Sequence, residues 1–146
     1  MTTIHRSALV PYSARQMFEL VADIPSYPKF LPWCGGARIV SAQEDEVIAA
    51  IDIAYSGVHK TFSTRNLLQR NKVMEIRLLE GPFSHLQGLW QFLPLDEHEC
   101  KISLNLEFEV ANKIVGLVLT PVFSNIANQL VDRFHQRAAD LYGRKA

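Results

Sequence analysis

The chain has 146 residues, 48% of them apolar, and its fifteen basic residues balance fifteen acidic ones. That length suits one domain, residues 1–146, with a real core, and the apolar content excludes a disordered chain. Zero net charge gives no support to a nucleic-acid footprint, so DNA is not expected as a partner.

No apolar run approaches the roughly 20 residues needed to cross a bilayer. The opening MTTIHRSALVPYS has no signal-peptide core, so a soluble cytoplasmic protein is expected. Cys34 and Cys100 stand far apart, outside any C-x-x-C spacing, and read as reduced thiols.

Residues 3–10 (TIHRSALV) predict a first strand ended by Pro11. Ser13 is placed to cap a short helix carrying Phe18, Leu20 and Val21, closed by Asp23 and Pro25. The next stretch, IPSYPKFLPWC (24–34), has too many prolines for a long helix and is too apolar for a solvated loop. It predicts a second short helix or tight turns packed as a lid, with Tyr27, Phe30, Leu31 and Trp33 inward. Gly35 and Gly36 permit a sharp exit into the next strand.

From residue 37 to 110 strands follow one another across short turns. In VMEIRLL, Met74, Ile76 and Leu78 oppose Glu75 and Arg77. In FSHLQGLWQFL, Leu86, Gly88, Trp90 and Phe92 share a face, and Ile102, Leu104, Leu106, Phe108 and Val110 do so in CKISLNLEFEV. Hairpin-length turns such as Ser56-Gly57 and Asn71-Lys72 make this an antiparallel meander with one dry face.

A long helix from about Asn112 to Tyr142 ends the chain, with Asn112 as N-cap, Gly143 as stop, and Arg144 and Lys145 suiting the dipole. Its apolar stripe is read as Val115, Val118, Val122, Ile126, Leu130, Phe134, Ala138 and Leu141, with a kink or break near Thr120 caused by Pro121. The first half is apolar on nearly every side, which suits either deep burial or the roof of a pocket.

The expected class is α+β: a curved antiparallel sheet of about seven strands wrapped around the terminal helix, with two short helices after the first strand. Such a grip leaves a cavity under the helix, with residues 24–34 at its mouth. The candidate lining is Phe30 and Trp33 from the lid, Ile53, Phe62, Thr64, Ile76, Leu78, Trp90, Phe92 and Leu104 from the strands, and Val118, Val122 and Ile126 from the helix. Val118 and Val122 are expected opposite Trp90 and Phe92. If Phe62 faces inward, Lys60, Thr64 and Asn66 share its face and Arg65 points to water. Thr64 and Asn66 then either donate to a ligand oxygen or close hydrogen bonds within the core. Trp33 and Trp90 either stack on a ligand ring or fill the core.

No catalytic constellation stands out. The histidines are scattered, no Cys/His spacing suits a metal, and neither a nucleophile elbow nor a phosphate loop is present. No enzymatic activity, metal or cofactor is expected on these grounds.

The stretches ALVPYSARQMFELVADIPSYPKFLPWC (8–34), KTFSTRN (60–66) and EGPFSHLQGLWQF (80–92), with the long helix, resemble the START-like (helix-grip, polyketide-cyclase-like) superfamily. Within it they are most similar to the branch of coenzyme-Q-binding proteins and ribosome-association toxins of the RatA type. YPKFLPWC and the following GPF…L.G.W.F pattern carry most of the resemblance. It implies a helix-grip fold and an apolar cavity; a member of the coenzyme-Q branch would hold a polyprenyl quinone (ubiquinone) in support of respiration, with transient contact at the inner-membrane surface. A RatA-like member would instead bind the large ribosomal subunit and block subunit joining. For that reading the candidate charges are Lys60, Arg65, Arg70, Lys72, Arg77, Arg133 and Arg137. A cyclase-type enzyme is a third class that the superfamily contains.

Overall fold

A computed structural model describes residues 1–143 of the chain. Arg144 and Lys145 lie outside the described residues. The elements are strand β1 (Thr2–Val10), helix α1 (Ala14–Ala22), a 3-10 helix (Ile24–Lys29), strands β2 (Cys34–Ala42), β3 (Glu46–Tyr55), β4 (Val58–Gln69), β5 (Val73–Glu80), β6 (Phe83–Pro94) and β7 (Cys100–Val110), and helix α2 (Lys113–Tyr142).

Local chemistry sets the boundaries. Ser13 Oγ accepts from the Gln16 N–H at 3.0 Å while Gln16 Oε1 accepts from the Ser13 N–H at 2.9 Å, a reciprocal box that starts α1. Asn112 Oδ1 accepts from the N–H groups of Ile114 and Val115 at 2.8 and 3.1 Å, and so caps α2. At the far end Gly143, with φ of 85°, donates to Ala139 O, and the Tyr12 hydroxyl donates to Gly143 O at 2.8 Å. That last bond ties the β1–α1 corner to the end of α2. Ser56 and Gly57 both take positive φ, which matches the twist of a two-residue hairpin between β3 and β4.

The seven strands form one antiparallel sheet in the order β1-β7-β6-β5-β4-β3-β2. Consecutive strands are neighbours from β2 to β7, and β1 closes against β7 with Thr2 opposite Phe108 and Val10 opposite Cys100. Irregular pairing at Cys34/Gly36 and Ser63/Thr64 bends the sheet. The dry face follows the expected alternation, with Ile102, Leu104, Leu106 and Phe108 buried along β7. This is the helix-grip arrangement expected from the sequence.

Two expectations for α2 need correction. The helix runs unbroken through Pro121, so there is no break near Thr120. Proline leaves the Leu117 carbonyl without its usual donor, but Leu117 is highly exposed and water can serve there. The buried stripe is Leu119, Phe123, Ile126, Ala127, Val131, Phe134 and Ala138, so the N-terminal half is rotated relative to the expected Val115–Val118–Val122 line. An 18-residue stretch of α2 is also long and apolar enough to cross a bilayer, by length and composition alone, where no such run was expected. In this fold α2 lies across the sheet.

Phe134 joins three layers. Its ring centroid lies 5.5 Å from Tyr27, 5.3 Å from Phe30 and 5.4 Å from Trp90, each edge to face. Replacing Phe134 by Ala should cost about 3–5 kcal/mol, the range for deleting a buried aromatic ring. Chemical denaturation measures this directly; a loss below about 1 kcal/mol would contradict the three-layer junction.

Candidate functional site: an apolar cavity between sheet and helix

Alternating strands place one face of β3–β7 under α2, and the curvature prevents complete filling. A space of about 80 Å³ remains. Its walls are Ile24, Tyr27 and Trp33 from the lid segment; Ile51, Phe62, Thr64, Asn66, Met74, Ile76, Leu86, Trp90, Leu104 and Leu106 from the sheet; and Phe123, Ile126, Ala127, Leu130 and Phe134 from α2. Aromatic clusters close both ends. Phe62, Phe83, Phe108 and Phe123 meet at one, with Phe108 and Phe123 4.7 Å apart, and Tyr27, Phe30, Trp90 and Phe134 meet at the other. Phe123 and Phe134 are eleven residues apart on α2, which at 1.5 Å per residue separates the clusters by roughly 16 Å.

Of the candidate residues, Trp33, Phe62, Thr64, Ile76, Trp90, Leu104 and Ile126 line this space together. Phe30, Ile53, Leu78, Phe92, Val118 and Val122 do not. Phe30 covers Phe134 from outside, with the Arg137 guanidinium 5.0 Å above its own ring. Ile53 is buried beside Cys34, two residues beyond cavity-lining Ile51. Phe92 packs β6 against α1 through Phe18, 5.5 Å away, and Leu78 is half-buried near the β5–β6 turn. Val122 is half-buried against the core.

Val118 is 55% exposed and borders a surface recess with Gly57–Lys60. It and Val122 therefore do not face Trp90 and Phe92, because Leu119 and Phe123 hold the sheet side of those turns. With Ile114 (79% exposed), Leu117 (78% exposed) and Pro121, Val118 forms an aliphatic outer face on the first turns of α2. An exposed helix face is ordinarily polar.

Several lining residues were legible as inward-facing but were not assigned to the cavity: Tyr27 in the lid, and Asn66, Met74, Leu86 and Leu106 on the dry parity of their strands. Phe123 and Ala127 were missed because they lie off the expected stripe.

The polar groups at the wall are few. Asn66 Nδ2 donates to Val47 O and to Thr64 Oγ1, both at 3.1 Å, and the Thr64 hydroxyl donates back to Asn66 Oδ1 at 3.4 Å. Thr64 and Asn66 thus do close hydrogen bonds within the core. Arg65, on the opposite parity, pairs with Glu46 at 3.0 Å. The Tyr27 hydroxyl donates to Val21 O, and burial first, then the nearby Cys34 and Asp23, pushes its pKa well up. Trp33 Nε1 has no hydrogen-bond partner among the described residues. Both cysteines are free and buried; burial pushes the Cys100 thiol up to about 11 and raises that of Cys34. Among the described residues no cluster of His, Cys, Asp and Glu could hold a metal ion.

Replacing Val118 by Trp should leave thermal stability nearly unchanged, as for most surface substitutions. The same change at Ile126, inside the cavity wall, should overpack it by roughly 1–3 kcal/mol. Melting curves of the two variants check the phase of α2; a large loss at Val118 would restore the original stripe.

A family model described as polyketide cyclase/dehydrase and lipid transport matches residues 10–135. The chain is 44% identical over 142 residues to the ribosome association toxin RatA of Escherichia coli (strain K12), covering 97% of this chain and 90% of that protein. It is 24% identical over 143 residues to the mitochondrial coenzyme Q-binding protein COQ10 homolog B of Xenopus laevis, covering 95% of this chain and 59% of that one. Among solved structures, the Zhui aromatase/cyclase from Streptomyces sp. R1128 superposes with a TM-score of 0.82 at 18% identity, covering 99% of both chains. At that identity the likeness is one of fold.

Proposed function

Because the chain belongs to the polyketide cyclase/dehydrase and lipid transport family, we propose that it is a binding protein, without catalytic activity, for a neutral lipid, a polyprenyl quinone, held between sheet and α2. The observation that carries this reading is the cavity wall itself: aliphatic and aromatic, without a charged side chain among the described residues. The likeness to a coenzyme Q-binding protein supports the choice of quinone. A binding role fits better than cyclase chemistry, because the titratable group at the wall is Tyr27, held neutral by burial and already bonded to Val21 O.

Size limits how the ligand enters. A cavity of about 150 Å³ takes benzene, so a space of about 80 Å³ must widen before a substituted ring fits. The lid is the part that yields: Tyr27 and Phe30 close it over Phe134, and displacing those rings opens the space. Burial then supplies affinity at about 25 cal/mol per Å², so a few isoprene units reach micromolar binding without a charged contact. Protein purified from its native host should release a neutral lipid on solvent extraction and mass spectrometry, and added quinone should quench tryptophan fluorescence. Absence of both would refute the carrier reading.

A second reading uses the outside of the molecule. The 44% identity to a ribosome association toxin supports binding to the large ribosomal subunit. Arg65 and Arg77 are engaged by Glu46 and Glu75, whereas Lys60, Arg70 and Lys72 form no ion pair among the described residues and remain available for phosphate. Overexpressed protein should then co-migrate with subunits in a sucrose gradient, deplete the whole-ribosome peak, and dissociate as salt rises. Protein left at the top of the gradient with unchanged ribosome peaks would exclude it. The two readings use different surfaces and can hold together.

A further inference from the structure

We propose that the cavity selects ligands bearing a carbonyl oxygen, and that Trp33 Nε1 is the donor that binds it; this rests on the reading of the cavity as a lipid site. Four polar side chains reach the wall: Tyr27, Trp33, Thr64 and Asn66. Three are already satisfied. Tyr27 donates to Val21 O, Asn66 uses its amide hydrogens on Val47 O and Thr64, and the Thr64 hydroxyl donates to Asn66. Trp33 is 5% exposed and its indole nitrogen is the donor left over among the described residues.

A buried indole N–H ordinarily finds an acceptor, and leaving it without one is unfavourable. Water is a poor answer here, because a buried water needs two to four polar partners and, beyond this N–H, the wall offers only the spare lone pairs of Tyr27, Thr64 and Asn66, groups already bonded to protein. A carboxylate is no better, since no cation lines the wall among the described residues and an unpaired buried charge is strongly disfavoured. What fits is a neutral oxygen that only accepts, attached to an otherwise apolar body. Trp33 belongs to the same lid segment as Tyr27, whose ring meets Phe134 at one end of the cavity, so the oxygen-bearing group is expected on the lid side with the hydrocarbon toward Phe62 and Phe123. Both a quinone ring and a fatty-acyl ester carry such an oxygen.

The test compares three probes on the full chain: an alkyl-substituted benzoquinone, a fatty-acid methyl ester, and the alkane of matching length. Wild-type protein should bind the two carbonyl probes about tenfold tighter than the alkane. Trp33→Phe should remove that advantage, so that the variant binds the carbonyl probes no tighter than the alkane whatever the smaller ring does to overall affinity and melting temperature. Loss on both carbonyl probes marks the carbonyl as the recognised group, and loss on the quinone alone marks the ring. If Trp33→Phe binds all three probes as the wild type does, or loses all three alike, Trp33 is not the donor and the lipid-site reading stands without it. If wild-type protein binds none of the probes, the lipid-site reading fails and this inference with it. A second readout needs no change at Trp33. The indole N–H resonance of Trp33, assigned with Trp90→Phe, should move downfield with the carbonyl probes and not with the alkane; an unmoved resonance in the presence of bound quinone would overturn the proposal.

Discussion

The junction at Phe134 is the contact on which the remaining architecture depends. One ring on α2 touches the lid through Tyr27 and Phe30 and the sheet through Trp90. It fixes α2 against the strands at this end of the cavity and gives the rings of the lid a surface to close upon. Eleven residues earlier Phe123 makes an equivalent junction with Phe62, Phe83 and Phe108. The helix is thus held at two points about three turns apart. Between them the concave sheet falls away, and the space there is a geometric result of pinning a helix across a curved surface.

That geometry explains the division of labour along the chain. Side chains at the two junctions serve stability, and those between them, such as Ile76, Ala127 and Leu130, border empty space. The wall is predominantly apolar, and two of its few polar side chains, Thr64 and Asn66, bond to each other. Such a container suits hydrophobic cargo, and related folds with different linings serve other chemistry.

The strands were legible because each carries a period of two with one wet face. The alternation in β7, Ile102 to Phe108, leaves a single solution. The caps at Ser13 and Asn112 were legible for the same local reason, an oxygen placed over unpaired N–H groups. The first half of α2 was not. When Ile114, Val115, Leu117, Val118, Leu119, Val122 and Phe123 surround a helix on nearly all sides, apolar spacing has no preferred direction. Only the sheet decides that Leu119 and Phe123 turn inward while Val118 stays outside. Pro121 misled in the same way, since packing by Leu119, Phe123 and Ile126 on both sides of it holds the helix together. Trp33 was recognisable as an inward aromatic, but nothing in the sequence says that its nitrogen would be left without an acceptor.

The pairing of β1 with β7 bears on how the molecule comes into being. About 90 residues separate Val10 from its partner Cys100. At the usual pace of translation the first strand waits roughly 5–20 s after synthesis before its neighbour exists. Contacts that distant in sequence also form slowly once available, because a long loop must close first. The delay is tolerable because β1 has little to hide: Ile4 and Val10 are its buried residues, while His5, Arg6 and Ser7 face solvent. A strand so polar is a weak template for aggregation. The sheet is thereby sealed from the N-terminus last, by the segment best suited to waiting.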